Sequence, residues 1–176
     1  PQTGMEAGDL ASLLNACGRS NNEGMGLALT LGDQDALDGA RKLRAEYVDE
    51  VMTGLERIAR EGVTAMENIQ YFVNENLGLS GILSGVTMQY LGDRNKATIA
   101  LSTHDEGVKV SSRGTFQLLE QGVDLAAAMR EGANKVGGFG GGHRIAAGAT
   151  VPIGREEEFL ALVDGIIGKQ KSKKET

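Results

Sequence analysis

Between Val136 and Pro152 the chain reads VGGFGGGHRIAAGATVP, and residue types able to do chemistry are densest there. Gly137, Gly138, Gly140, Gly141 and Gly142 admit positive φ angles and carry no Cβ that would hold a ligand off the backbone. They could therefore form a concave nest of N–H donors, the kind of surface that binds phosphate. His143 can donate to a phosphate or a base edge, and Arg144 can fork onto an anion. No Lys-Ser/Thr pair closes the run, so it is no Walker loop, and no strand precedes it as the dinucleotide fingerprint requires. The alternative is a loose linker. Against it, the run sits between a helix and an apolar strand, without the Ser, Pro or acidic filler of linkers.

Other polar features offer less. His104-Asp105-Glu106 has hard-metal residue types, but three adjacent residues in a hairpin turn point apart, so it reads as a turn. Cys17 has no neighbour that would activate a thiol and reads as a small buried hydrophobe. The basic run Arg41 to Arg44 falls on a long helix, as a solvated face or the lining of a cleft.

The elements that position the glycine run can be read from periodicity. Leu10, Leu13 and Leu14 recur at helical spacing, GMGLALTLGD suits a second short helix, and Gly32-Asp33 reads as a stop followed by a fresh N-cap. Leu37, Ala40, Leu43, Tyr47, Val51, Leu55 and Ile58 then step by three or four, which predicts one long amphipathic helix ending near Gly62. From residue 68 the texture changes. NIQYFVN suits a strand, SGILSGVTMQYLG a helix, and KATIALST with EGVKVSSRG two strands around a turn at residues 104–107. DLAAAMREGANKVGG is a helix capped by Asp124, AAGATVPI a strand, and REEEFLALVDGIIGK a closing helix whose inner face is Phe159, Leu160, Val163, Ile166 and Ile167. The expected fold is α/β (α+β), a small mixed β-sheet flanked by helices and preceded by a helical segment. The expected division is a helical connector over 1–65, an α/β domain over 66–168, and a disordered basic tail over 169–176.

Composition bounds the function. The 176 residues suffice for one domain of ordinary size, and with 40% hydrophobic residues, 4% aromatics and no Trp the core must be aliphatic. A net charge of -6 argues against coating nucleic acid by bulk electrostatics, so any anion site is local. One cysteine and two histidines give no zinc spacing and suit a reducing cytoplasm. No apolar run is long enough for a membrane span. The opening residues PQTGMEAGDLASLLNACGRS read like the interior of a longer chain.

The glycine-histidine segment, preceded by VKVSSRG and DLAAAMREGANKVGG, resembles the DHH-associated C-terminal domain of the DHH phosphoesterase superfamily, whose hallmark is Gly-Gly-Gly-His followed by Ala-Ala-Gly. LLNACGR, residues 13–19, is similar to the Asn-Ala-x-Gly-Arg stretch that joins the two domains of RecJ-type single-strand exonucleases. Together they resemble an archaeal RecJ-like exonuclease. The resemblance implies that Gly140, Gly141, Gly142 and His143 form the substrate-gripping loop and that Arg113 pairs with a substrate phosphate. Ser111, Ser112 and Arg144 would contribute further donors, and Asn15 and Arg19 would lie along the nucleic-acid path. In the family a separate DHH domain holds two manganese or magnesium ions that activate water for phosphoester hydrolysis. No Asp-His-His stands in this sequence. The expected role is thus binding of single-stranded DNA, RNA or a nucleotide, without catalytic residues, metal ligands or cofactor in this part, and with the DHH domain as partner. Replication proteins are a further expected partner, and a scaffold role beside them is an alternative function. The other alternative is a tRNA-binding or oligomerisation module like the C-terminal domain of alanyl-tRNA synthetase. Among Tyr71, Phe72, Tyr90, Phe116 and Phe139 as stacking platforms, Phe139 stands out. It is either a platform for a base or an anchor that pins the glycine run to the core.

Overall fold

The computed structural model describes residues 5–173 and divides into two compact units that meet between Thr53 and Gly54. The first contains α1 (Ala7–Arg19), α2 (Glu23–Thr30) and most of α3 (Gln34–Glu61). Its core is Leu13, Cys17, Leu29, Ala36, Leu37 and Ala40. These are the positions at which helical spacing places apolar residues. Asp33 caps α3 by accepting from the Ala36 amide at 2.9 Å. Burial pushes the Cys17 thiol above its ordinary pKa, which keeps it protonated and inert.

The boundary between the units falls inside α3, ahead of the residue-65 division expected from sequence, because the last turns of α3 belong to the second unit. Gly54 packs against Leu83, and Arg57 donates to the Val73 carbonyl at 3.1 Å. The second unit is a six-stranded mixed sheet of β1 (Thr64–Ala65), β2 (Ile69–Val73), β3 (Ala97–His104), β4 (Gly107–Arg113), β5 (Phe139–His143) and β6 (Ala146–Val151), in the order β1-β2-β3-β4-β6-β5. Only β2 and β3 run parallel; the crossover between them carries α4 (Ser80–Val86), and α5 (Phe116–Glu120) follows β4. One face carries α6 (Leu125–Lys135) and α7 (Glu156–Ser172) over Ile99, Leu101, Val108, Val110, Ala147, Ala149 and Val151, with Met129, Phe159, Val163 and Ile167 filling the layer. α4 covers the opposite face over β3 and the adjoining side of β4, where Ser80 Oγ meets Ser102 Oγ at 2.7 Å, and Lys109, Ser111 and Arg113 of β4 stay partly exposed.

Two expectations need correction. The glycine run is not a concave nest: Phe139–His143 is an extended edge strand, paired antiparallel with β6. Its weak β-propensity is overridden by the two-residue turn at Arg144 and Ile145, which folds it onto an apolar partner strand. Nor are residues 169–172 a disordered tail, since α7 continues through Ser172. Gln170 locks it down by accepting from the Asp124 amide at 2.9 Å and donating to the Asp124 carbonyl at 3.1 Å. Lys171 donates to the Asn95 carbonyl at 3.0 Å, and burial lowers its pKa. The last residues of the expected tail, 174–176, lie outside the described residues.

α7 is fixed to the sheet by a buried carboxylate. Asp164 Oδ1 accepts from the amides of Asn68 and Ile69 at 2.7 and 3.0 Å, satisfying the start of β2. Asp164→Ala would strand both amides, and it is expected to cost about 2 kcal/mol, read as a lower urea midpoint with an unchanged m-value.

Candidate nucleic-acid interface

Strand parity decides what the sheet shows to the outside. Across β4, β6 and β5 the register aligns Arg113 with Ala146 and His143, Ser111 with Gly148 and Gly141, and Lys109 with Thr150 and Phe139. These three rows face away from α6 and α7, since the intervening residues Val108, Val110, Ala147, Ala149 and Val151 build the core. The resulting surface has small residues in the middle and cations at two corners. Phe139, Gly141, Gly148 and Thr150 help to line a shallow depression in it. None of the residues in the three rows is acidic.

Arg113 is half-buried. Its Nη1 donates to the Ser112 carbonyl at 2.9 Å and its Nη2 lies against Gly81 of α4. No carboxylate pairs with it among the described residues, and burial lowers its pKa. A guanidinium stays protonated under such a shift, so the site holds a partly desolvated positive charge without a counter-ion. His143 is exposed two strand spacings away, about 10 Å between Cα atoms. Between them stands only Ala146, leaving room for a group held by both side chains.

The glycines divide by task. Gly137, at φ +82, closes α6: its amide and that of Gly138 return to the carbonyls of Asn134 and Ala133 at 3.3 and 2.8 Å, a Schellman cap. At Gly140 a Cβ would lie 2.6 Å from the Met129 carbonyl oxygen, so the bare backbone is what lets β5 pass under α6. Gly142 sits at φ +137 with the backbone of Ala147 equally close. Only Gly141 of the three in the Gly-Gly-Gly-His motif has open space where its Cβ would be. No described strand occupies the outer edge of β5, and antiparallel alternation turns every second amide toward it.

The hairpin tip is held from both sides. Gly114 donates to the Ile145 carbonyl and Leu125 to the Arg144 carbonyl, both at 2.9 Å. Arg144 itself lies 3.6 Å from Asp124, the residue that caps α6 through the Ala127 amide. Arg144 is therefore committed to the tip, while Arg113 is committed to no acid among the described residues.

Of the residues singled out in the sequence, Arg113, Ser111, Gly141 and His143 share one surface. Ser112 does not: it points into the core, fully buried, and its Oγ donates to the Ala147 carbonyl at 2.9 Å. Asn15 and Arg19 are exposed on α1 in the other compact unit, with the Arg19 guanidinium 5.5 Å from the Tyr47 ring centre. Phe139 is 67% exposed, which excludes its reading as a core anchor. Lys109 and Thr150 went unnoticed in the sequence. The alternation of GVKVSSR was the available signal, because it puts Lys109, Ser111 and Arg113 on one face and Ser112 on the other.

No group of three or more His, Cys, Asp or Glu side chains able to hold a metal ion exists among the described residues. His104 and its neighbours form the β3–β4 turn, with the Glu106 amide donating to His104 Nδ1 at 3.3 Å. No helix among the described residues is long and apolar enough to cross a membrane.

Fold and site together define an α/β module in which Arg113, His143 and Lys109 share one partly exposed face of the sheet with small residues. The chain belongs to the DHHA1 domain family, which it matches over residues 68–169. Domains of this family associate with DHH catalytic domains. Over 161 residues the chain is 31% identical to an uncharacterised protein of Methanocaldococcus jannaschii, covering 92% of this chain and 35% of that one, so it spans about a third of its relative's length. The fold is similar to the manganese-bound RecJ of Thermus thermophilus, with a TM-score of 0.72 over 91% of this chain and 24% of that one at 17% identity. It is also similar to the C-Ala domain of Aquifex aeolicus alanyl-tRNA synthetase, with a TM-score of 0.50 over 60% of this chain and 96% of that one at 16% identity.

Proposed function

We propose that this chain is the substrate-holding part of a RecJ-like, metal-dependent phosphoesterase, and that the open face of β4, β6 and β5 grips a phosphate of single-stranded nucleic acid or of a nucleotide. The observation that carries this is Arg113: half-buried, without a carboxylate partner among the described residues, and in register with His143 across a small residue. The guanidinium takes the phosphate oxygens, the imidazole adds a donor from the opposite side, and Ser111 and the backbone around Gly141 complete the floor. Contacts of this kind hold a strand without reading its sequence, as a degrading enzyme requires. The metal ions and the water they activate belong to the associated DHH domain.

Titrating a fluorescent single-stranded oligonucleotide with the chain and following anisotropy tests this. Few cations serve the surface, so log K is expected to fall with log salt at a slope of about -1 to -2, near -0.7 for each phosphate neutralised. His143→Ala is expected to weaken binding about fivefold. No binding at low salt, or binding indifferent to salt, overturns the reading. The chain is expected to show no nuclease turnover with added manganese; sustained turnover would contradict the division of labour.

A second reading, a tRNA-binding or oligomerisation module, draws on the likeness to nearly the whole C-Ala domain. Structured tRNA bound far more tightly than a single strand of the same length would favour it. A chain that binds replication proteins but neither nucleic acid would be a scaffold.

A further inference from the structure

The row farthest from Arg113 has no part in gripping that phosphate, yet it is built from residues that suit a nucleotide. Phe139 is the one large apolar side chain on β5, which continues through three glycines to His143, and it is 67% exposed, on a face whose other apolar residues are small. The Lys109 ammonium sits 5.9 Å from its ring centre and donates to Thr150 Oγ1 at 3.0 Å. No carboxylate pairs with Lys109 among the described residues. Arg113 lies four steps along β4 from Lys109, about 13 Å at strand rise, and the floor between is Ser111, Gly148 and Gly141. Two cations at that separation, with a flat glycine floor between and an aromatic ring at one end, match a polyanion that carries π-faces. A peptide or a lipid headgroup would leave the exposed ring or the second cation without use.

Resting on the phosphate-holding reading above, we infer that Phe139, Lys109 and Thr150 form a second subsite that stacks a base of the neighbouring stretch of the same strand and pairs with its phosphate. The surface then takes oligonucleotides in preference to mononucleotides. Phe139 provides the platform, Lys109 the charge, and the absence of a Cβ at Gly141 lets the sugar-phosphate chain run flat from one cation to the other.

The test compares 5′-dAMP with a short oligodeoxyadenylate on the whole chain, by calorimetry or anisotropy, with circular dichroism to verify folding of each variant. Phe139→Ala is expected to weaken the oligonucleotide about tenfold and leave 5′-dAMP unchanged, while Phe139→Trp retains the oligonucleotide affinity. Lys109→Gln is expected to reduce the salt slope of oligonucleotide binding by about 0.7. If Phe139→Ala leaves the oligonucleotide affinity intact while Arg113→Gln lowers it for both probes, the second subsite is wrong and the phosphate site stands. Equal losses for both probes in Phe139→Ala and Phe139→Trp would make the ring structural and also overturn the subsite. Binding of neither probe by the unaltered chain removes both readings.

Discussion

Replacing Arg113 with Gln is expected to weaken binding of single-stranded oligonucleotides by roughly 10- to 100-fold while leaving the fold in place. Hydrogen bonds between a charged donor and a charged acceptor contribute about 1.5–3 kcal/mol each, and a guanidinium can make two of them to one phosphate. The environment strengthens the effect, because Arg113 is already half-buried, with a hydrogen bond to the Ser112 carbonyl and no carboxylate partner among the described residues, so little solvation remains to be lost when the anion arrives. Gln keeps the stem and a donor, which separates loss of charge from loss of packing. Arg113→Lys is expected to recover only part of the affinity, since an ammonium cannot fork onto two oxygens. An anisotropy titration of the three proteins at one salt concentration checks this, and equal affinities would remove Arg113 from the site.

The second large effect separates neighbouring glycines. Gly140→Ala is expected to destabilise the chain by about 3 kcal/mol, lowering Tm by roughly 6–12 °C, because its methyl would come 2.6 Å from a backbone carbonyl of α6 and only movement of the helix could relieve it. Gly141→Ala, one residue on, meets nothing within 4 Å and is expected to leave Tm within about 1 °C, apart from the small loss of backbone freedom in the unfolded chain that favours Ala. Its methyl would instead stand on the floor of the open surface and weaken nucleotide binding. Thermal melts of both variants, paired with oligonucleotide titration of the second, show whether the motif combines a packing glycine with a binding one. A stable Gly140→Ala would contradict that division.

Much of the architecture was legible. The helices declared themselves by apolar residues at three and four spacing, as with Leu37 to Ile58 in α3 and Phe159 to Ile167 in α7, and by caps at Asp33 and Asp124 that the hydrogen bonds bear out. The edge strand was not, because five residues that are mostly glycine carry no β-preference of their own. What makes them a strand is β6, paired with them across a two-residue turn, and α6 pressing on Gly140, both tertiary facts. A concave nest and a paired edge strand share the same residues and differ in shape, and the shape is the strand. The parity of β4 was legible but not applied: it would have removed Ser112, whose hydroxyl is spent on the Ala147 carbonyl, and supplied Lys109. The end of α7 escaped because KQKSKK looks solvated, whereas Gln170 and Lys171 are committed to Asp124 and Asn95.

If the face of β4, β6 and β5 turned away from α6 and α7 holds the strand, backbone amide chemical shifts locate the contact there. In a titration of the isotope-labelled chain with a short oligodeoxyadenylate, the shifts of Ser111, Arg113, Gly141, His143 and Gly148 should move together and saturate with the affinity seen by anisotropy. Movement confined to α6 and α7, or to α1 and α2, with those five resonances still, would contradict it.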